Sequence, residues 1–227
     1  MAQEKDRSLM QHLMAVAAAS SDVTDWFECL YSQAKGQVGL IPWADLEPNS
    51  KLAVWLQREN PQSEARMALD VGCGIGDNAE YLAQYGFTVT AFDVAPTAIE
   101  WCRKRFKSSK VKYLAASVLE LPQEWSGTFD FVHECYTLQV LPEELRVKAM
   151  REIARCVKPG GTILIICRGR DASQAYDKSD LPWPLTREEL RYFESAGFNL
   201  VKFEDYMDME STPKRRFRVE YRKLLSI

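Results

Sequence analysis

The sequence predicts an α/β domain: a doubly wound, seven-stranded, mostly parallel sheet with an N-terminal helical cap. Three observations predict it. The apolar run Leu69-Asp70-Val71 carries an acid and opens into Gly72-Cys73-Gly74-Ile75-Gly76, with three alternating glycines. Glycine reaches φ > 0 without a Cβ penalty and lets another molecule lie against bare backbone. Past this loop, stretches rich in β-formers alternate with helical patterns, which implies parallel strands with helices on both faces. The third is length: 227 residues suffice for one large domain with a sizeable core.

Each element has a local reason. Leu13–Ala19 is short and mostly alanine, and Glu4 and Asp6 offset Lys5 and Arg7, so it reads as part of a helix rather than a leader. Asn60-Pro61-Gln62-Ser63-Glu64 reads as a linker. It separates a helical and aromatic cap (1–60, part of the same domain) from the ligand-binding region (61–227). A helix from about Asp77 to Tyr85 stops at Gly86, a natural C′ residue. Phe87–Phe92 is a second strand ending in Asp93, and Pro96 suits the first turn of the next helix. Pro142 does the same for a helix through about Cys156. Thr186 and Glu189 form a capping-box pattern for a helix ended by Gly197. Late strands at about Leu200–Glu204 and Arg215–Tyr221 complete seven. Right-handed crossovers place a ligand at the C-terminal ends of the central strands.

The glycine spacing says which ligand. A dinucleotide fold wants G-x-G-x-x-G/A, with a small residue at 77. Here the third glycine comes one position early and position 77 is Asp77, a carboxylate that competes with phosphate for helix N-terminal amides. Asp93 lies 21 residues past Gly72, where an acid can take both ribose hydroxyls. The loop resembles motif I of the class I S-adenosylmethionine-dependent methyltransferases. Phe129-Asp130-Phe131-Val132 and the Lys158-Pro159-Gly160-Gly161 turn into a fifth strand follow in the family's order. The resemblance covers Met67 to the C-terminus. It implies a Rossmann-like fold that binds S-adenosyl-L-methionine, leaves S-adenosyl-L-homocysteine as product, and needs no metal.

Donor contacts implied by the resemblance fall on Asp70, Gly72, Cys73, Gly74, Gly76 and Asn78, on Asp93 and Val94, and on Ser117, Val118 and Glu134. Ser117 stands where many members carry an acid for the adenine amino group, and a serine four residues before Leu121-Pro122 is similar to the thiopurine, thiol and halide methyltransferase group. Either its hydroxyl or a neighbouring amide bonds adenine, or it is a plain strand-end serine. Trp26-Phe27-Glu28 with Tyr31, and Ile41-Pro42-Trp43, look like that group's cap; Trp26 and Trp43 are either a lid over the donor or core. Acceptor contacts are expected at Trp43, Tyr136, Arg168 and Arg170, the two arginines either gripping an anionic acceptor or pairing with Asp171 or nearby glutamates.

A thiolate or halide acceptor needs no base, whereas a hydroxyl does, and Glu134 and His133 are the candidates; both could equally be structural, Glu134 as a helix cap. The expected function is methyl transfer to a small thiol, selenol, halide or similar acceptor. The alternatives are a donor-binding protein without turnover and a small-molecule O-methyltransferase. His133-Glu134-Cys135-Tyr136 replaces the clamp of amino-methylating enzymes of nucleic acids, and Lys214–Arg218 alternates with apolar residues like a solvent-facing strand edge. With a net charge of −3, no nucleic-acid partner is expected. Six scattered cysteines without C-x-x-C, two histidines and no apolar run near 20 residues point to a cytoplasmic, metal-independent protein with no membrane contact, monomeric or weakly dimeric.

Overall fold

Seven strands form one sheet in the order β3-β2-β1-β4-β5-β7-β6. The computed structural model describes residues 24–59, 66–177, 181–209 and 212–225; the expected helix at Leu13–Ala19 and linker at Asn60–Glu64 lie outside them. The strands are β1 (Met67–Val71), β2 (Thr88–Asp93), β3 (Lys112–Ala115), β4 (Phe129–Cys135), β5 (Val157–Arg168), β6 (Phe198–Met207) and β7 (Arg215–Lys223). The first five are mutually parallel, whereas β7 runs antiparallel between β5 and β6. The order reverses at β1, whose neighbours β2 and β4 lead away in opposite directions. That reversal leaves a crevice beyond the strands' C-terminal ends, where open α/β sheets bind ligands.

The described helices are α1 (Asp25–Ala34), α2 (Ser50–Glu59), α3 (Asp77–Gln84), α4 (Pro96–Arg105), α5 (Glu143–Cys156) and two single turns, α6 (Arg187–Leu190) and α7 (Tyr192–Ser195). Their boundaries follow local chemistry. Gly86, with φ 95°, ends the turn after α3, and Pro96 sits in the first turn of α4. The Thr186–Glu189 capping box is formed in both directions, but the helix it starts breaks after Leu190 before Gly197 (φ 88°) ends the segment.

Side chains of α5, α6 and α7 pack on one sheet face, with Met150, Ile153 and Phe193 against Val132, Ile163 and Ile165. On the other face α2, α3 and α4 bring Leu52, Trp55, Leu82 and Ile99 against Phe131, Leu164 and Ile166. A third cluster joins α1 and the 41–44 loop to Ile75 and to Ala98 and Trp101 of α4. Glu28 of α1 ties this join, its carboxylate accepting from the Thr97 backbone N–H (2.9 Å) and hydroxyl (2.5 Å). The cap therefore braces the helix beside the glycine loop. Among the described residues, no helix is long and apolar enough to cross a membrane.

One expectation is corrected. Lys214–Arg218 is not a solvent-facing edge: β7 lies one strand in, and Arg216 and Arg218 are 5% and 6% exposed. Helix α2 covers their face. Arg218 Nη1 donates to the Lys51 carbonyl (2.8 Å), and Trp55 Nε1 donates to Glu220 (2.8 Å).

Candidate functional site

β1 delivers Gly72, Gly74 and Gly76 to the crevice, all at positive φ (62°, 54° and 96°). Two of these close approaches are filled by the protein itself: a Cβ on Gly72 would strike the Thr137 side chain, and one on Gly76 would meet the Tyr113 hydroxyl at 2.7 Å. Gly74 is different. Its open side faces the cap, where a Cβ would stand 3.3 Å from the Tyr31 hydroxyl and 3.9 Å from the Trp43 ring.

Asp93, at the end of β2, braces this loop. Oδ2 accepts from the Gly74 N–H and Oδ1 from the Ala95 N–H, both at 2.9 Å, and Val94 lies half-buried beside it. Burial pushes the Asp93 carboxyl up to about 6, against the lowering effect of those amides. Each carboxylate oxygen retains acceptor capacity for a ribose hydroxyl. Cys73 is buried under the loop. Asp77, in the first turn of α3, is gripped by Arg105 at 2.7 and 3.1 Å, and Asn78 Oδ1 accepts from the Asn49 N–H (2.8 Å). At the end of β3, Ser117 Oγ accepts from the Leu119 N–H (3.2 Å), and Val118 is buried.

Beneath the loop, Asp70 and His133 stand opposite each other on β1 and β4 with Oδ1 and Nδ1 2.7 Å apart. His133 is fully buried, and its Nε2 and Asp70 Oδ2 have no partner among the described residues. Glu134, also 0% exposed, points to the opposite sheet face. There Oε1 accepts from the Thr137 and Leu138 N–H groups (2.7 and 2.9 Å), capping the 3-10 turn Leu138–Val140. Burial pushes its carboxyl up to about 7. Of the two readings of Glu134, capping is the one displayed, and neither Glu134 nor His133 presents an atom to the crevice surface.

The aromatic cap divides. Trp26 is buried at 4% exposure, stacked on Phe27 with ring centres 3.8 Å apart, and belongs to the cap's core. Trp43 is half-buried, and its indole N–H donates to the Tyr31 hydroxyl (2.8 Å) above Gly74. The cap side chain nearest Gly74 is thus Tyr31. Its position one and a half turns after Trp26 gave no distinguishing signal, because α1 is aromatic on more than one side.

At the end of β4, Tyr136 adopts φ 69°, unusual for a bulky residue. Its hydroxyl accepts from Asn49 Nδ2 (3.2 Å), and the Arg216 guanidinium lies 4.9 Å from its ring centre. Arg170 displays the pairing alternative: it bonds Glu143 (3.3 Å) and the carbonyls of Asp171, Ala172, Gln174 and Pro184, holding the loop after β5. Arg168 ends β5 opposite Arg216.

Residues 68–161 match the family described as "Methyltransferase domain". Among curated proteins, the chain is 33% identical over 136 residues to a sterol 4-C-methyltransferase of Caenorhabditis elegans, covering 57% of this chain and 39% of that protein. It is 35% identical over 119 residues to a ubiquinone biosynthesis O-methyltransferase of Bordetella avium, covering 52% and 48%. The chain thus spans less than half the length of these relatives. By fold it is similar to a 1,6-didemethyltoxoflavin-N1-methyltransferase of Burkholderia thailandensis solved with S-adenosylhomocysteine (TM-score 0.68, 20% identity, 88% and 89% covered). A structure from echinomycin biosynthesis, described by conversion of a disulfide bond into a thioacetal group, superposes with TM-score 0.73 at 18% identity, covering 91% and 93%.

Proposed function

Starting from residues 68–161 as an S-adenosylmethionine-dependent methyltransferase domain, we propose that this protein transfers a methyl group to a small-molecule acceptor that is nucleophilic without a protein base, such as a thiol, selenol or halide. The observation that carries the donor side is Gly74: bare backbone at φ 54°, braced from behind by Asp93 and facing Tyr31 and Trp43. The residues fit the donor. The loop backbone accepts a flat ligand, Asp93 suits ribose hydroxyls, and the unpartnered Asp70 Oδ2 provides buried negative charge suited to an ammonium group. Ser117 and Val118 would flank adenine. Asp77 and Arg105 occupy each other at the N-terminus of α3, which disfavours a pyrophosphate there.

Bound at this loop, the donor supplies a sulfonium methyl group for in-line displacement. The chain's own contribution is alignment and exclusion of water, which can supply up to ~7–11 kcal/mol. Tyr31 and Trp43 cover the loop, and Tyr136 fixes the floor beside it. Burial and prior bonding of Glu134 and His133 support a base-free reaction.

Calorimetry with S-adenosylhomocysteine and NAD tests the donor: the former should bind in the micromolar range and the latter not at all. Turnover of a panel of thiols, selenols, halides and phenols then tests the acceptor. With a thiol, Glu134→Gln should hold the rate within about tenfold, whereas a phenol reaction that used Glu134 as base would fall by ~10²–10⁴. Tight donor binding with no turnover of any acceptor would favour a non-catalytic binding protein.

A further inference from the structure

Helix α2 and the last two strands enclose a cleft that the donor reading leaves unused. Its volume is about 460 Å³, and it is lined by Lys51, Phe203, Glu204, Asp205, Tyr206 and Arg218, a size that suits a small molecule. A relay of contacts links the cleft to the start of α3, just after the glycine loop. Tyr206 stands opposite Arg216 across β6 and β7, and Arg216 lies over Tyr136. Tyr136 in turn holds Asn49, which bonds Asn78 in the first turn of α3.

The charges in the cleft leave one cation over. Arg218 Nε bonds Glu204 at 2.5 Å, and Lys202 reaches the same carboxylate at 3.1 Å; the Arg218 bond is the main reason the Glu204 carboxyl is held down to about 2. Asp205 is taken by Arg215 at 2.7 and 2.8 Å. Lys51 is left. Among the described residues its ammonium makes no ion pair and lies 4.5 Å from the Tyr206 ring centre, while Arg218 clamps its backbone carbonyl. The Tyr206 hydroxyl is buried and also has no partner among the described residues. A buried hydroxyl is normally bonded, so an idle one beside an unpaired ammonium marks a place for an acceptor atom.

We propose that this cleft holds a carboxylate of the methyl acceptor, paired with Lys51 and accepting a hydrogen bond from Tyr206, with an aromatic or apolar body along the Tyr206 ring. One ammonium without an acid partner, with two acids nearby, fits a monoanion. A dianionic phosphate would be repelled by Glu204 and Asp205. The proposal rests on the methyltransferase reading, since it names that reaction's acceptor class.

Calorimetry on the full chain tests it. S-adenosylhomocysteine is titrated first, and 4-mercaptobenzoate, 4-mercaptobenzamide and phenyl phosphate are then compared. If the product does not bind, the donor reading fails, and the three probes are compared on the unliganded chain, so the two outcomes stay separate. The carboxylate should bind roughly tenfold or more tightly than the amide or the phosphate, as expected of a charge-assisted bond. Lys51→Gln should bring the carboxylate within about twofold of the amide. Tyr206→Phe removes a hydroxyl that bonds nothing in the protein, so it should weaken the carboxylate roughly three- to tenfold and leave the melting temperature unchanged. Equal affinities, binding of none of the probes, tighter binding of the phosphate, or a carboxylate preference that survives Lys51→Gln would overturn the proposal.

Discussion

The two halves of the sheet are built by different means. Around β1, β2 and β3 the site is made of backbone: three glycines at positive φ, with Asp93 holding two amides. Around β5, β7 and β6 it is made of charged side chains: Arg215 with Asp205, Arg216 with Asp208, Arg218 with Glu204, and Glu220 with Trp55 and Arg58. The family match covers residues 68–161 and stops inside β5. A donor common to many enzymes can be held by a shared backbone geometry. An acceptor particular to one enzyme calls for side chains that can vary independently.

Gly74→Val should break the backbone half most severely. A β-branched residue at φ 54° is strained, and its Cβ would start 3.3 Å from the Tyr31 hydroxyl. Calorimetry should show no S-adenosylhomocysteine binding, while circular dichroism shows a folded chain. Binding within tenfold of wild type would mean that the loop is not the donor's floor. Next come the two cap tryptophans. Trp43→Ala should weaken the product by roughly tenfold through the lost cover over Gly74, with a modest change in stability. Trp26→Ala, from the cap's core, should cost ~3–5 kcal/mol of stability measured by denaturant.

A smaller effect depends on pH. Folding raises the carboxyl pKa of both Asp93 (about 6) and Glu134 (about 7) by burial. The folded state therefore binds more protons than the unfolded chain between about pH 4.5 and 7, so stability without ligand should fall as pH rises through that window. The change should flatten above pH 7. Denaturant midpoints from pH 5 to 8 would check the sign, and the slope should be shallower in Glu134→Gln. The smallest effect on the donor is expected from the other half of the sheet. Arg218→Gln, which removes the bond to Glu204 and the clamp on the Lys51 carbonyl, should lower stability by ~1–3 kcal/mol and leave product affinity within about twofold. A tenfold loss would show that the two halves are coupled rather than separate.

The backbone half was legible in the sequence because its chemistry is local. Gly76, Gly86 and Pro96 each state a boundary within a few residues, and all three appear as such in the structure. The charged half was not. Alternating Arg215, Phe217 and Val219 with Arg216, Arg218 and Glu220 has the period of a one-sided strand, and one face of such a strand is ordinarily wet. The element that dries it is α2, which begins about 165 residues earlier, and no local pattern reports a partner so distant. Arg170 was ambiguous for the same reason, because Glu143 lies 27 residues away. Tyr31 stands in the cap pattern, but its place over Gly74 was not legible, because that depends on the loop it faces and not on its neighbours in α1.

The bonds from Trp55 to Glu220 and from Lys51 to Arg218 span 165 and 167 positions, and that separation sets an order of assembly. A growing chain that has emerged through residue 168 holds every strand of the parallel part of the sheet, including the whole glycine loop. Helix α2 has by then been made, yet the strand that carries its polar partners Glu220 and Arg218 has not. Contacts so far apart in sequence are slow to close, so the outer edge of β5 waits unpaired until β7 inserts beside it. This interval is the stage of synthesis at which the chain is most exposed to misassociation.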